Sequence, residues 1–576
     1  MTPELKPYPF DFKTRTHARS GTASLETHPV VIVGGGVAGL TAALALAAQG
    51  VKSVVIEADD TVCYGSRAIC ISRRSLEIFD RVKAADAILA KGLAWTGGRS
   101  FYRDEEVLHF SMPHDENQKL PPMVNIQQYY LEEYLVQQAE QQPEAIDLRW
   151  GSKVTQAQVD DQGVRLQIQG PADAYTIQAD WVVATDGGRS FMRETLGLAL
   201  QGTAYEGRYV VADIELDSSL PTERLAWFNP PSNPGSTILM HKQPDNVWRI
   251  DYQLRDGEDP DTAILPENVW PRVQAHLEMI GETGPWKPLW ITIYKANALT
   301  LERYRHGRVL FAGDAAHLVP IFGVRGANSA IDDADNLAWK LAYVVRGLAD
   351  AALLDSYSEE RVFAAHENLA SGMKSTEFMA PPTFAFKFMR EAVLNLAVDT
   401  PAIRSLINPR QTSTISYRQS ILNAASSEEA RFASGPPPGT VLSNAALLRS
   451  GPAAADQRVH LTDTVRPGEF LILHFSENGE VAEEVRAAAG QLHDAGIPLR
   501  LVCIARRRPS TIQGESETLL DTDGTAFALY DAEPTASYLV RPDGHVAGRW
   551  RTPTAANIEQ AVRAILQPST SHQSKP

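Results

Sequence analysis

Cysteine is nearly absent from this chain of 576 residues. Cys63, Cys70 and Cys503 are the only three, and no two form a Cys-x-x-Cys pair. Neither a structural zinc site nor a dithiol redox centre follows from that set, and a sparse, odd count fits a reducing, cytoplasmic setting. No other metal-ligand constellation is seen, so no metal is expected. No run reaches the roughly 20 continuous apolar residues that a membrane span needs. The segment before Val30 has scattered charges and no apolar core, so no signal peptide and no membrane partner are expected. Basic residues are in deficit: 54 Lys and Arg stand against 70 Asp and Glu, a formal charge of −16. Phosphate backbones repel such a chain, which argues against a nucleic-acid partner. An anionic substrate would need a local positive site working against the overall field. Internal repeats are also lacking.

What is present is length for two or three cores and ordinary globular usage, with 44% hydrophobic and 22% charged residues. Residues 30–200 alternate between apolar strands, helices and glycine turns, an α/β pattern. Over 202–299 the helical period fades. Trp227, Trp248, Tyr252, Trp286, Trp290 and Tyr294 there sit among short β-like runs, which predicts a sheet inserted into the first unit. The α/β pattern returns at 308–312, and Ile331, Ala334, Ala338, Leu341 and Val345 then recur at helical spacing. Turn-rich stretches at 426–429 and 435–439 mark a break. Beyond it lie apolar strands near 470–473 and 499–504, a hairpin around Asp543-Gly544, and a helix carrying Ile558, Ala561, Val562 and Ile565.

Three motifs carry chemistry. The buried strand Pro29-Val30-Val31-Ile32-Val33 runs into a GxGxxG turn formed by Gly34, Gly36 and Gly39, then into an Ala/Leu-rich helix. Gly34 permits the turn, Gly36 lets a pyrophosphate approach the backbone, and Gly39 lets helix and strand pack closely. The helix N-terminus offers unpaired N–H groups to phosphates. A second strand, Val54-Val55-Ile56, ends in Glu57, whose charge suits a ribose 2′-hydroxyl and disfavours a 2′-phosphate. This motif alone does not separate FAD from NAD. The second motif reads DGxxSxxR, from Asp186 to Arg193, after an apolar strand. The third is Gly313-Asp314 at the end of another strand, followed by His317 and by Pro320, Gly323, Gly326 and Asn328 leading into the long helix. A strand-end carboxylate can hold a polyol such as a ribityl chain. A Gly/Pro loop entering a helix can cradle a group that becomes anionic, as reduced flavin does.

Over 29–355 the chain resembles the flavoprotein aromatic hydroxylases, the group that includes p-hydroxybenzoate hydroxylase, phenol hydroxylase and 3-(3-hydroxyphenyl)propionate hydroxylase. The resemblance implies FAD lying across the first domain, with Gly34, Gly36 and Gly39 at the pyrophosphate and Glu57 at the adenosine ribose. It places Arg67 near the pyrophosphate, Gln128 beside the flavin's sugar, and Asp314 on the ribityl chain. Asp186 and Arg193 would serve both FAD and NAD(P)H, a co-substrate without a nucleotide fold of its own. Reduced flavin and O2 would form a C4a-hydroperoxide that hydroxylates a phenolic ring. Many relatives have two prolines after the histidine, whereas Pro320 is followed here by Ile321, which implies a less rigid loop on the substrate side. From about residue 439 the chain resembles the thioredoxin-like domain carried by phenol hydroxylase. With Cys503 alone there, that domain is expected to pack or dimerise, giving a homodimer, rather than to do redox work.

The expected fold is α/β. A Rossmann-like FAD domain occupies 29–201 and 301–425 after an N-terminal extension at 1–28. A substrate-binding β-sheet domain spans 202–300, a linker 426–440, and a thioredoxin-like α/β domain 441–576. Tyr252 and His241 are the candidates for accepting a phenol proton, and Arg249, Tyr294 and Pro320 for contacting substrate. Arg249 and Tyr252 stand three apart, so on a regular strand only one of them faces the pocket. Arg325 is a further option for the nicotinamide cofactor or the substrate. The competing readings are an epoxidase or ring-cleaving monooxygenase of the same fold, or a flavin-binding protein without turnover. A flavin halogenase lacks support, because Trp286 and Trp290 have the wrong spacing for WxWxIP.

Overall fold

The most apolar strands of the first motif form the centre of the first sheet. In the computed structural model, which describes residues 8–16, 25–255, 257–320, 322–381, 383–407, 414–449, 457–508 and 517–568, the second half of the strand Leu25–Val33 is covered on both faces, while its first residues reach solvent. Val30, Val31 and Ile32 are fully buried. Parallel neighbours Ala174–Ala184 and Ser53–Ile56 flank it, with Val309–Phe311 and Ile146–Arg149 outside them. Burial on both faces is what a parallel sheet demands. The helices Val37–Ala47 and Gly326–Val345 pack together against it.

The second sheet runs His317–Leu318, Trp286–Thr300, Gln201–Leu216, Val247–Gln253, Thr237–Lys242, Arg224–Phe228, Gly97–Tyr102, Glu105–Ser111. The last two strands come from outside 202–300, so the sheet is wider than the sequence pattern indicates. The join depends on close approach: a Cβ on Gly98 would lie 2.4 Å from the Arg224 carbonyl oxygen, and one on Gly97 2.5 Å from that of Phe110. Alternation gives the sheet two different faces. One carries Trp248, Ile250 and Tyr252 into a core with Val269, Trp270 and Leu277 of the helix Pro266–Met279. The other carries Asp213, Arg224, His241, Arg249 and Asp251; the register pairs His241 with Arg249 and Asp213 with Arg249 across adjacent strands.

A third sheet has parallel Phe470–Ser476, Leu499–Ala505 and Glu517–Leu520, with Ser537–Val540 and Val546–Trp550 antiparallel beside them. Trp339 and Tyr343 of the long helix pack edge-on against Phe470. Residues 426–440 are not a free spacer. Arg549 pairs with Glu429 and donates to the Ser434 carbonyl, and the Gly439 amide donates to Val546. Among the described residues no helix is long and apolar enough to cross a membrane.

Candidate cofactor and substrate site

The glycine turn is built for close approach. Gly34 has φ +107°, and a Cβ there would sit 2.4 Å from the Thr185 carbonyl oxygen; one on Gly39 would sit 2.0 Å from that of Gly34. At Gly36 the nearest such neighbour is a Glu132 carboxylate oxygen at 3.8 Å, so the space before the helix is open. No side chain caps that helix and no acidic residue lies in its first turn, which leaves its N–H groups free for an anion. Glu57 folds back onto the turn, accepting from the Gly35 amide at 2.5 Å and the Asp59 amide at 2.8 Å, while burial raises its pKa.

Asp314 sits opposite. Its carboxylate lies deep in the protein yet faces open space, and it takes no hydrogen bond from the described residues. Burial raises its pKa, and His317, Arg67 and Arg193 oppose the rise. The turn that carries it is braced by Asp333, which accepts from the Gly313 amide at 2.9 Å, His317 Nε2 at 2.7 Å and Arg361 Nε at 2.5 Å. Arg361 and His317 outweigh burial and hold the Asp333 carboxyl down at about 2. The DGxxSxxR motif clamps the same turn. Asp186 accepts from Ser190 and the Met192 amide, and Arg193 donates to the Ala315 carbonyl at 3.0 Å and to Gly188 at 2.6 Å. An open cradle, an uncapped helix and an unpartnered carboxylate at the far end fit a dinucleotide with a polyol.

Several residues expected to touch ligand prove to be spoken for. Gln128 joins the Ala68 amide to Glu132, and Glu132 also accepts from the Cys63 amide. The Asn328 side chain is taken up by Ser72, Ser75, Cys70 and Val324. Arg249 pairs with Asp251 at 2.8 Å and donates to the Arg67 carbonyl, so it positions the arginine loop instead of reaching a substrate. Tyr252 lies on the helix-covered face, its ring under Arg272, with burial raising its pKa to about 12. It therefore cannot serve the face that carries His241. The Tyr294 hydroxyl donates to the Val319 carbonyl at 3.0 Å and braces the loop before Pro320. Ile321 lies outside the described residues. Farther along that loop Val324 has φ +59°, a strained position for a β-branched residue, and Gly326 opens the helix Gly326–Val345 without a side-chain cap.

His241 stays on the inner face, where burial first, then Arg224 and Arg249, hold its pKa down to about 3. Its Nδ1 lies 4.0 Å from the Cys70 sulfur. A cavity of about 80 Å³ opens on the same face between the sheet, the end of the helix Leu353–Met379 and the 320–326 loop, which contributes Phe322.

The Tyr8 segment has no sequence signal beyond its aromatic spacing. Tyr8 donates to Asp213 at 2.6 Å, and Ser66 donates to the other oxygen of that carboxylate at 3.0 Å. Phe10, Phe12, Tyr64 and Tyr129 close ring against ring over the 63–66 loop.

Residues 27–371 match the family described as FAD binding domain. The chain belongs to that family. It is an FAD-dependent enzyme of the aromatic hydroxylase and monooxygenase group. It is 26% identical over 545 residues to the 3-(3-hydroxy-phenyl)propionate/3-hydroxycinnamic acid hydroxylase of Mycolicibacterium smegmatis, covering 93% of each chain. Over 571 residues it is 29% identical to aklavinone 12-hydroxylase RdmE of Streptomyces purpurascens, covering 93% of this chain and 98% of that one. The flavin-dependent monooxygenase PieE, solved with FAD and substrate, shares the fold: TM-score 0.76 at 24% identity, over 94% of this chain and 99% of that chain.

Proposed function

We propose that this flavoenzyme hydroxylates a phenolic aromatic compound, with NAD(P)H as reductant and O2 as the source of the inserted oxygen. The observation that carries the reading is the small cavity sharing Phe322 with the loop that leads into the uncapped helix. Bound FAD supplies hydride acceptance and oxygen activation. On this reading Gly34, Gly36, Gly39 and Arg67 hold the pyrophosphate, Glu57 the adenosine ribose, Asp314 the ribityl chain, and Pro320, Gly323 and Gly326 approach the flavin ring. Asp186, Arg193, Gln128 and Asn328 position those groups through the contacts above.

The protein's own tasks follow from the chemistry. Phe228, Phe322, Phe378 and Met379 form an apolar part of the cavity wall, beside the polar Ser100, Arg224, Lys374 and Ser375, and help to exclude water there. An electron-rich ring reacts best as phenolate, so a proton acceptor must stand near. His241 lies on the same face of the sheet but outside the cavity lining, and a pKa held down to about 3 makes it a weak base, so on this reading the neutral imidazole accepts a hydrogen bond through water while the phenol proton leaves to solvent. A cavity of about 80 Å³ favours a single ring, being well under the roughly 300–1,000 Å³ of pockets for larger ligands. The 441–576 unit, thioredoxin-like in its parallel-plus-hairpin order, is assigned to packing and homodimer formation.

The test is a panel of one-ring phenols, phenolic acids and polycyclic phenols, scored by stimulated NAD(P)H oxidation and by product mass under ¹⁸O₂. We expect a one-ring compound to raise the rate at least tenfold and to gain one atom of ¹⁸O. Label arriving from water, or oxidation indifferent to every aromatic tried, sinks the reading. Turnover of polycyclic phenols alone keeps hydroxylation but removes the single-ring assignment.

A further inference from the structure

The Asp333–Arg361 pair that braces the Asp314 turn does not end within the first domain. Arg361 is fully buried and spends its donors on three residues. Nε goes to Asp333 at 2.5 Å, Nη2 to the Ser329 carbonyl and hydroxyl, and Nη1 to the Tyr417 hydroxyl at 2.5 Å. Tyr417 lies outside the 27–371 span that matches the FAD-binding family.

The seat of Tyr417 is built by the linker and the C-terminal unit. The Tyr417 amide donates to the Gly439 carbonyl at 2.7 Å, and the Gly439 amide donates to the Val546 carbonyl at 2.7 Å. That approach requires glycine: Gly439 has φ +86°, and a Cβ there would sit 2.3 Å from the Tyr417 carbonyl oxygen. The Tyr417 ring leans on that of His545, with centroids 4.8 Å apart, and the His545 amide donates to Asp543. Glu360, next to Arg361 on the helix Leu353–Met379, accepts from Arg541 of the same unit. Two consecutive residues of one helix are therefore gripped from the C-terminal side, and Arg361 passes the contact on. Through Asp333 it reaches the Gly313 amide and His317, which fix the turn that presents Asp314.

A buried polar network holds one geometry only when each member is satisfied. Without the Tyr417 hydroxyl, Arg361 keeps its charge and Asp333 but loses the group that fixes the guanidinium from the far side. The turn then gains freedom, and a carboxylate that must be ordered on binding holds its ligand less well.

We propose that Tyr417 is a positioning residue for FAD: seated against the C-terminal unit, it fixes Arg361 and Asp333, and through them holds the Gly313-Asp314 turn in the form that retains the cofactor. The C-terminal unit thus serves cofactor retention as well as packing. The inference rests on placing Asp314 at the ribityl chain. Such coupling is reciprocal, so FAD should in turn tighten the seat of Tyr417.

The experiment follows FAD release from the holoenzyme by flavin fluorescence on dilution. It compares Tyr417→Phe, Asp314→Asn and the double variant, with the melting temperature of each apo-protein as the control for folding. We expect release to be about fivefold faster or more in Tyr417→Phe. In Asp314→Asn it should be about tenfold faster or more. Adding Tyr417→Phe to Asp314→Asn should then change the rate by less than about twofold, because both act on one contact. Hydrogen exchange of the unaltered protein gives a second measure, which decides alone if Tyr417→Phe does not fold. FAD should slow exchange of the Tyr417 and Gly439 amides by about fivefold or more. Release from Tyr417→Phe at the wild-type rate, whatever its melting temperature, overturns the inference. Rates that multiply in the double variant, or amides at 417 and 439 indifferent to FAD, do the same. Asp314→Asn tests the basis separately. Wild-type release there removes the ribityl placement and the inference with it, whereas faster release there beside wild-type release in Tyr417→Phe removes the inference alone.

Discussion

Gly36 and Gly39 look alike in the motif and differ in the structure. A side chain at Gly36 meets nothing nearer than a Glu132 carboxylate oxygen at 3.8 Å, whereas one at Gly39 runs into the Gly34 carbonyl at 2.0 Å. Gly36→Val should therefore give a folded protein that retains under a tenth of the FAD while its melting temperature matches that of the wild-type apo-protein. Gly39→Val should lower the melting temperature itself. FAD absorbance together with thermal unfolding checks both. The buried histidines make a second residue-scale prediction. His241 and His276 are held down to about 3, His276 by burial alone, while an unfolded histidine titrates near 6.5. Below pH 6.5 the unfolded chain takes up protons that the folded one refuses. Stability is therefore complete above that pH and falls as pH drops from 6.5 toward 3, by about 1 kcal/mol per unit for each histidine. Unfolding titrations at pH 7 and pH 5 should show the loss, and His276→Phe should reduce its slope.

At the scale of elements, the site is a meeting of turns, each held by an element distant in sequence. The 63–68 loop is fastened from three sides: Arg249 on the second sheet, Glu132 on a helix, and Asp213 through Ser66. Tyr8 completes that set, and its loss should be felt at the cofactor. Tyr8→Phe removes a buried hydrogen bond to a carboxylate, a loss of about 1–3 kcal/mol. We expect faster FAD dissociation, measured by dilution or apoflavodoxin capture, with the first sheet's stability little altered. An FAD off-rate equal to wild type would mean that the segment packs without serving the site. The GxGxxG turn, the Gly-Asp turn and the DGxxSxxR motif were legible in the sequence because local backbone geometry dictates their residues. The Tyr8 segment and the Asp333–Arg361 brace were not, because their meaning lies in partners 28 to 205 positions away.

For the whole molecule, the C-terminal unit is locked on by buried charge. Arg541 pairs with Glu360 at 2.6 Å and with Asp543, and Lys340 adds to Glu360 at 2.8 Å, its pKa pulled by burial to about 8. Removing one partner of such a network leaves uncompensated charge and costs about 3–5 kcal/mol. Arg541→Met should lower the unfolding free energy by an amount in that range and loosen the C-terminal unit in hydrogen exchange before the first domain opens. Cys503, buried in the third sheet with its thiol pushed up to about 12, has no chemistry to lose. Cys503→Ser should keep turnover near wild type, and a large drop in a folded variant would reveal a thiol role.

The sequence by itself determined the α/β class, the order of the nucleotide motifs and the absence of a dithiol, since each rests on residues adjacent in the chain or on their number. It also supplied the carboxylate at position 314 and the glycine that leaves the space before the first helix open. Tertiary structure decided the rest by choosing partners. Arg249 looked like a substrate ligand until Asp251 and the Arg67 carbonyl claimed it, and Tyr252 was lost to the helix-covered face by the two-residue period of its strand. Arg224 carries no local signature. It becomes notable only because folding buries it beside a cavity and brings no carboxylate among the described residues within ion-pair distance, a fact about what surrounds a residue and not about what neighbours it in the chain.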